Sequence, residues 1–230
     1  MTAPRTAVPV AVRAHALGAI AARALTAAGG RARVLARPGG AAFLTAAGEI
    51  VWLGPASAPL HPRAVLVASV PDVDIGADLS VDAAGLVPWQ PAAPRLDVAA
   101  LRAGWHRLPA VLTALGTPGG FGARLAGTPL AFPLDRADGE ARALAEACAR
   151  DDAAAAGPPA LALLGLGAGL TPSGDDFVGG VLFARHLLGT AGAADAVGWR
   201  RLAGAVREAA EARTHPISAA LLGDLACGVS

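Results

Sequence analysis

Along residues 8–28, Val12, Leu17, Ile20, Ala24 and Leu25 recur near helical spacing, which predicts an alanine-rich first helix ending at Gly29-Gly30. The period then shortens to two. Ala32, Val34 and Ala36 alternate with Arg31, Arg33 and Arg37, and Pro38-Gly39-Gly40 turns the chain into residues 41–45. Ala47-Gly48 turns it again into 49–53, and a break from Gly54-Pro55 through Pro62 leads to the apolar run 64–70. Short strands with tight turns predict an antiparallel sheet or small barrel. From Pro71 to Ser80, Asp72 and Asp74 alternate with Val73 and Ile75, which reads as an edge strand with one wet face. The glycine and terminal glutamate of an EF-hand calcium loop are missing there.

The pattern changes from Val98 onward. Leu101, Trp105, Leu108 and Leu112 step by three and four and define a helical core face, with His106 on a solvated side. Gly116 to Gly127 is a glycine-rich loop, either a lid able to close Phe121 over a ligand or a surface linker. Residues 138–152 form a polar-faced helix and Ala153 to Pro159 a linker. Further helices run from the Thr171 region to about Leu188, with Gly179-Gly180 implying a close backbone neighbour, then over 197–212 and from Pro216 onward. The fold class expected is therefore α+β. An N-terminal, antiparallel β-rich part with one helix (residues 1–96) precedes a mainly helical part (97–230), the two forming one compact unit.

One segment exceeds what folding alone requires: Gly165-Leu166-Gly167-Ala168-Gly169-Leu170-Thr171-Pro172-Ser173-Gly174-Asp175-Asp176-Phe177. Thr171 fits a helix N-cap with Pro172 at the first helical position, and in a second frame Ser173 caps with Asp176 three residues on. Either frame aims helix N–H groups at the glycine loop, an arrangement that attracts anions. Asp175 and Asp176 would repel a bare phosphate, so the expectation is a bridging Mg²⁺ held by carboxylate and ligand oxygens. Dipole complementation by the acids and close packing by the glycines is the alternative. Gly167, Gly169, Thr171, Ser173 and Gly174 are the candidate ligand-binding residues of the loop, and Asp175 and Asp176 the candidate metal ligands and catalytic groups. Thr214 and Ser218 can share a helix face and line the same pocket, or Thr214 can simply cap the last helix. His215 is the one histidine beside a motif and hence the acid–base candidate, and Arg124 is the arginine expected to reach a phosphate or carboxylate.

The glycine segment resembles the G-x-G-x-G-L-T-P-S-G-D-D motif of the AllH-like family, named for a subunit of the oxamate carbamoyltransferase of allantoin breakdown, and Thr214 to Leu222 is similar to that family's T-x-x-I-S-x-x-L-L stretch. Residues 1–110 agree only in general layout. Family members usually continue past the equivalent of Gly228 with a further helical segment, whereas this chain stops at Ser230. The resemblance implies a part in carbamoyl transfer within a multi-subunit cytoplasmic enzyme of bacterial purine catabolism, between oxalurate plus phosphate and oxamate plus carbamoyl phosphate. It implies a small anionic ligand (phosphate, carbamoyl phosphate or an oxamate-like anion) and other subunits as partners. Two other readings stand beside it: a non-catalytic subunit that docks a partner or senses a metabolite, and a stand-alone Mg²⁺-dependent phosphotransferase or hydrolase.

Composition narrows the field. The chain has no Lys, Tyr or Asn, so Schiff-base, P-loop lysine and tyrosine acid chemistries are excluded, and the Ser-Thr-Arg-Thr phosphate motif of ordinary carbamoyltransferases is absent. A net charge of +1 with scattered arginines offers no basic stripe for nucleic acid. No apolar run is long enough for a membrane span or signal core. Cys148 and Cys227 lack metal-ligand spacing and read as buried small hydrophobes in a reducing, cytoplasmic setting. No motif calls for an organic cofactor.

Overall fold

A computed structural model describes residues 8–92, 95–116 and 118–229. It divides into two compact units, Met1–Ala92 and Ala93–Val229. Among the described residues of the first, six strands close a barrel: β1 (Val10–Leu17), β2 (Arg31–Ala36), β3 (Ala42–Ala46), β4 (Glu49–Pro55), β5 (Ala64–Val67) and β6 (Asp78–Asp82). Their order around the barrel is β1-β5-β4-β3-β2-β6, with β6 returning to β1.

The sequence places β2 to β5 correctly and the barrel forms, but two of its pairings, β1 with β6 and β4 with β5, are parallel. The expected first helix over 8–28 is instead β1 followed by α1 (Ala19–Ala27). Val12 and Leu17 sit on the strand, and only Ile20, Ala24 and Leu25 are helical. Alanine blurs the distinction, because a short run rich in it satisfies either period. The N–H groups of Ile20 and Ala21 donate to the Pro62 carbonyl, so α1 is capped by backbone from a distant loop and carries no side-chain cap for sequence to reveal. The acidic stretch is also different from expectation. Residues 71–77 are not a strand, and β6 is no edge: it pairs with both β1 and β2, closing the barrel. Inward-facing Val34, Leu44, Val51, Leu53, Val65 and Leu79 fill the interior.

The second unit is helical: α2 (Val98–Gly104), α3 (Leu108–Leu115), α4 (Asp138–Ala149), α5 (Ala153–Leu163), α6 (Ser173–Thr190), α7 (Ala196–Arg213) and α8 (Pro216–Ala226), with 3₁₀ turns at Trp105–Arg107, Gly120–Ala126 and Leu134–Ala137. Its core is built from α4 to α8, around Leu144, Leu163, Val178, Trp199, Val206 and Leu222. The expected linker 153–159 is the start of α5, held at its N-terminus by Asp152 accepting from the Ala155 N–H, despite Pro158 and Pro159 within it. Gly179 meets Leu225 and the backbone of Leu222 on α8, the close neighbour expected, while Gly180 faces open space. The expected core face of 101–112 is not core. Leu101 and Trp105 are 47% and 64% exposed, and α2 buries no residue at all. Of the glycine-rich loop 116–127, Thr117 lies outside the described residues, as does Ser230 at the chain end. Neither cysteine is disulfide-bonded, and Cys227 is exposed rather than buried. No described helix is long and apolar enough to cross a membrane.

Candidate functional site

The glycine segment lies between α5 and α6. Gly165 takes φ +76°, and a Cβ there would lie 2.3 Å from the Arg213 carbonyl oxygen, so the loop passes directly against the end of α7. A Cβ on Gly174 would lie 1.9 Å from the Leu163 carbonyl oxygen, which fixes the start of α6 against the end of α5. Close packing thus accounts for both glycines without a ligand. Gly167 and Gly169 complete the loop at φ +121° and +94°.

The helix start differs from both expected frames. Pro172 occupies the N-cap position, Ser173 is the first helical residue, and neither Thr171 nor Ser173 caps with its side chain. The first-turn donors are met by backbone: the N–H of Gly174 donates to the Leu166 carbonyl at 2.8 Å, and those of Asp175 and Asp176 to the Pro172 carbonyl at 2.9 and 3.1 Å.

The two aspartates separate by environment. Asp175 is 1% exposed. Its Oδ1 accepts the Gly165 N–H at 2.7 Å, and its Oδ2 accepts the hydroxyls of Thr214 and of Ser218, the latter at 2.6 Å. Three donors and the positive end of α6 compensate a buried carboxylate that has no arginine partner among these contacts. The two sequence motifs therefore meet at this side chain. Thr214 and Ser218 do converge, on Asp175 in the interior. Thr214 does not cap α8: His215 does, its Nδ1 accepting the Ile217 N–H at 3.2 Å.

Asp176, one helical step of about 100° onward, faces outward. It lines a cleft of about 310 Å³ with Ser173 and Phe177 on the α6 side and Gly119 to Gly122 on the other. Its carboxyl is held above the ordinary carboxylate value, first by the partial loss of hydration in the cleft and second by the adjacent Asp175 charge. The glycine-rich loop is the second wall, seated by Phe121, which is buried and packs on Phe177 with ring centroids 5.0 Å apart. The sequence signal for that wall was the single apolar residue among glycines, although it anchors the loop instead of capping a ligand.

Other expected residues lie elsewhere. Arg124 pairs with Asp138 at 3.3 Å, beside the Arg142–Asp138 pair at 2.6 Å, and lines an adjoining apolar groove with Leu125 and Ala141. Gly167, Gly169, Thr171, Gly174 and His215 do not line the Asp176 cleft. Among the described residues no three His, Cys, Asp or Glu side chains converge as a metal site. Sequence reading missed a third carboxylate hub. Asp151, at φ +54°, accepts the Trp199 indole N–H at 2.7 Å and the Asp195 N–H at 2.7 Å, and Arg185 stacks on the Trp199 ring at 4.9 Å.

No curated protein and no solved structure matches the chain. Residues 163–229, which hold the glycine loop, Asp175, Asp176 and the Thr214 to Leu222 stretch, match the family model of the oxamate carbamoyltransferase subunit AllH, so the segment that supplies the Ser173, Asp176 and Phe177 wall of the cleft is AllH-like, while the Gly119 to Gly122 wall lies outside the match.

Proposed function

We propose that this chain acts as an AllH-type subunit in carbamoyl transfer between oxalurate plus phosphate and oxamate plus carbamoyl phosphate, and that the Asp176 cleft receives the small anion. The reading is supported by the family match over the site segment and, above all, by the division of labour between the aspartates: one carboxylate is consumed by the fold while its neighbour stands in a cleft. The residues fit a bridging Mg²⁺ only in part. Both Asp175 oxygens are taken by hydrogen bonds, so Asp176 alone would hold the ion, with remaining positions left to water and ligand oxygens. Bound there, Mg²⁺ would neutralise charge on the phosphoryl group. The chain's own contribution is to place the Asp176 carboxylate and the Ser173 hydroxyl across from Gly119, Gly120 and Gly122, whose lack of side chains leaves room for a small ligand beside the Phe121 anchor.

The test is oxamate-dependent release of phosphate from carbamoyl phosphate, measured with wild type and Asp176→Asn, each alone and co-expressed with its companion subunits. Release that is abolished in Asp176→Asn supports the reading. Release unaffected by that substitution contradicts it, and no release in any combination favours a docking or sensing subunit.

A further inference from the structure

Beside the Asp176 cleft runs a second groove of about 290 Å³, and Phe121, Gly122 and Phe177 line both. Its walls are mainly apolar, from Phe121, Leu125, Ala141, Ala145 and Phe177, and Leu125 among them is 61% exposed. Three charged side chains also line it: Asp138 at the start of α4, Arg142 one turn further along that helix, and Arg124 from the 3₁₀ turn Gly120–Ala126. They leave one oxygen unmet. Arg142 Nη2 lies 2.6 Å from Asp138 Oδ2, while Arg124 Nε comes within 3.3 Å of Oδ1 without hydrogen bonding to it. Among the described residues, Oδ1 is thus a buried acceptor with no donor, in a side chain only 23% exposed. A buried carboxylate oxygen in that state is costly, and it sits beside a guanidinium that is 45% exposed and carries five N–H donors.

We propose that this groove binds a small neutral amide with an apolar body, its N–H donating to Asp138 Oδ1 and its carbonyl accepting from the Arg124 guanidinium. The charges select the class. A cationic amine meets two guanidiniums for one carboxylate, and a carboxylate has no proton to give Oδ1 and is repelled by it. An amide carries a donor and an acceptor side by side on one planar group and adds no charge, which suits an acceptor and a donor 3.3 Å apart. A water molecule can meet the same two groups but leaves the apolar walls wet, whereas an amide with an apolar body covers them, the usual division of labour in a small-molecule site. The amide then lies next to whatever the Asp176 cleft holds, and the assignment does not depend on that occupant.

The experiment is a ligand-observed NMR titration of the full chain with benzamide, N,N-dimethylbenzamide and benzoate, without carbamoyl phosphate, so that its outcome is separate from that of the cleft. Benzamide should bind in the millimolar range, as a fragment of its size does. The dimethyl amide, which has no N–H, and benzoate, which has no donor and the wrong charge, should each bind at least about tenfold more weakly. Arg124→Met and Asp138→Ala should lower benzamide affinity by a similar factor, and so should Ala145→Phe, which fills the groove from an exposed helix position. The ligand series uses the wild-type chain, so it remains decisive where a variant fails to fold. The three ligands bound alike would mark a groove that is merely apolar and would overturn the inference. No benzamide binding, or binding indifferent to Ala145→Phe, overturns it equally.

Discussion

The Ser218 hydroxyl and the Asp175 carboxylate, 43 positions apart in the chain, lie 2.6 Å from one another inside the helical unit. With the Gly165 N–H and the Thr214 hydroxyl on the same carboxylate, this contact ties the glycine loop, the start of α6 and the α7–α8 turn together. Asp175→Ala strands the buried Ser218 hydroxyl and the half-buried Gly165 N–H and Thr214 hydroxyl, so we expect a loss of about 3 kcal/mol in urea unfolding. Asp175→Asn keeps one acceptor oxygen and should fall between.

Thr214→Ala and Ser218→Ala each remove one donor from the same oxygen. Each should cost about 1–2 kcal/mol, and the double variant should depart from additivity because the two hydroxyls share a partner. An additive double-mutant cycle in urea would show that they act separately.

Two glycines of α6 should respond in opposite directions. Gly174→Ala drives a methyl into the Leu163 carbonyl and should cost several kcal/mol or prevent folding. Gly180→Ala, in a helix interior with nothing within 4 Å, should stabilise by about 0.5–1 kcal/mol. Thermal melts of the two variants decide the matter.

Much of this was visible in the sequence, and the exceptions have physical causes. Alternation with Arg31 and Arg33 located β2, and the turns at Pro38-Gly39-Gly40 and Ala47-Gly48 located β3 and β4. The β1 strand was hidden by alanine, and β6 was taken for an edge because its partners β1 and β2 are remote in the chain. The diacid and the Thr214 and Ser218 hydroxyls were identified as a group, but which aspartate faces inward depends on the phase of α6. The sequence leaves that phase open, and neither expected cap frame holds, since Pro172 and not Thr171 or Ser173 occupies the cap. The burial of Phe121 and exposure of Trp105 follow from tertiary packing, to which helical spacing is blind.

The pH dependence of stability should carry the signature of Asp151. Its carboxyl is held below the ordinary value, first by the Trp199 indole hydrogen bond and further by the Asp195 N–H and Arg185. A depressed folded-state value means that its contribution is present above the unfolded carboxylate range near pH 4 and is lost as pH falls through the folded value. Asp151→Asn should therefore flatten the acid limb of a stability profile. An unchanged acid limb would contradict the assignment.

Asp176 has the opposite sign. Its raised value means that ionisation works against folding, so the favourable contribution holds below the unfolded range and is lost as pH rises through the folded value. Asp176→Asn should stabilise the protein at neutral pH by less than about 1 kcal/mol, since solvent screens an exposed carboxylate, with the gain vanishing under acid conditions. A gain of stability at the residue proposed to meet ligand is the expected mark of a functional position.

The most direct measurement is calorimetric titration of carbamoyl phosphate with Mg²⁺ into wild type, Asp176→Asn and Ser218→Ala. Binding that is lost in Asp176→Asn but retained in folded Ser218→Ala is predicted, because the first removes the carboxylate facing the cleft and the second only loosens the buried staple. Binding that survives Asp176→Asn unchanged, or no heat from well-folded wild type, would contradict the account.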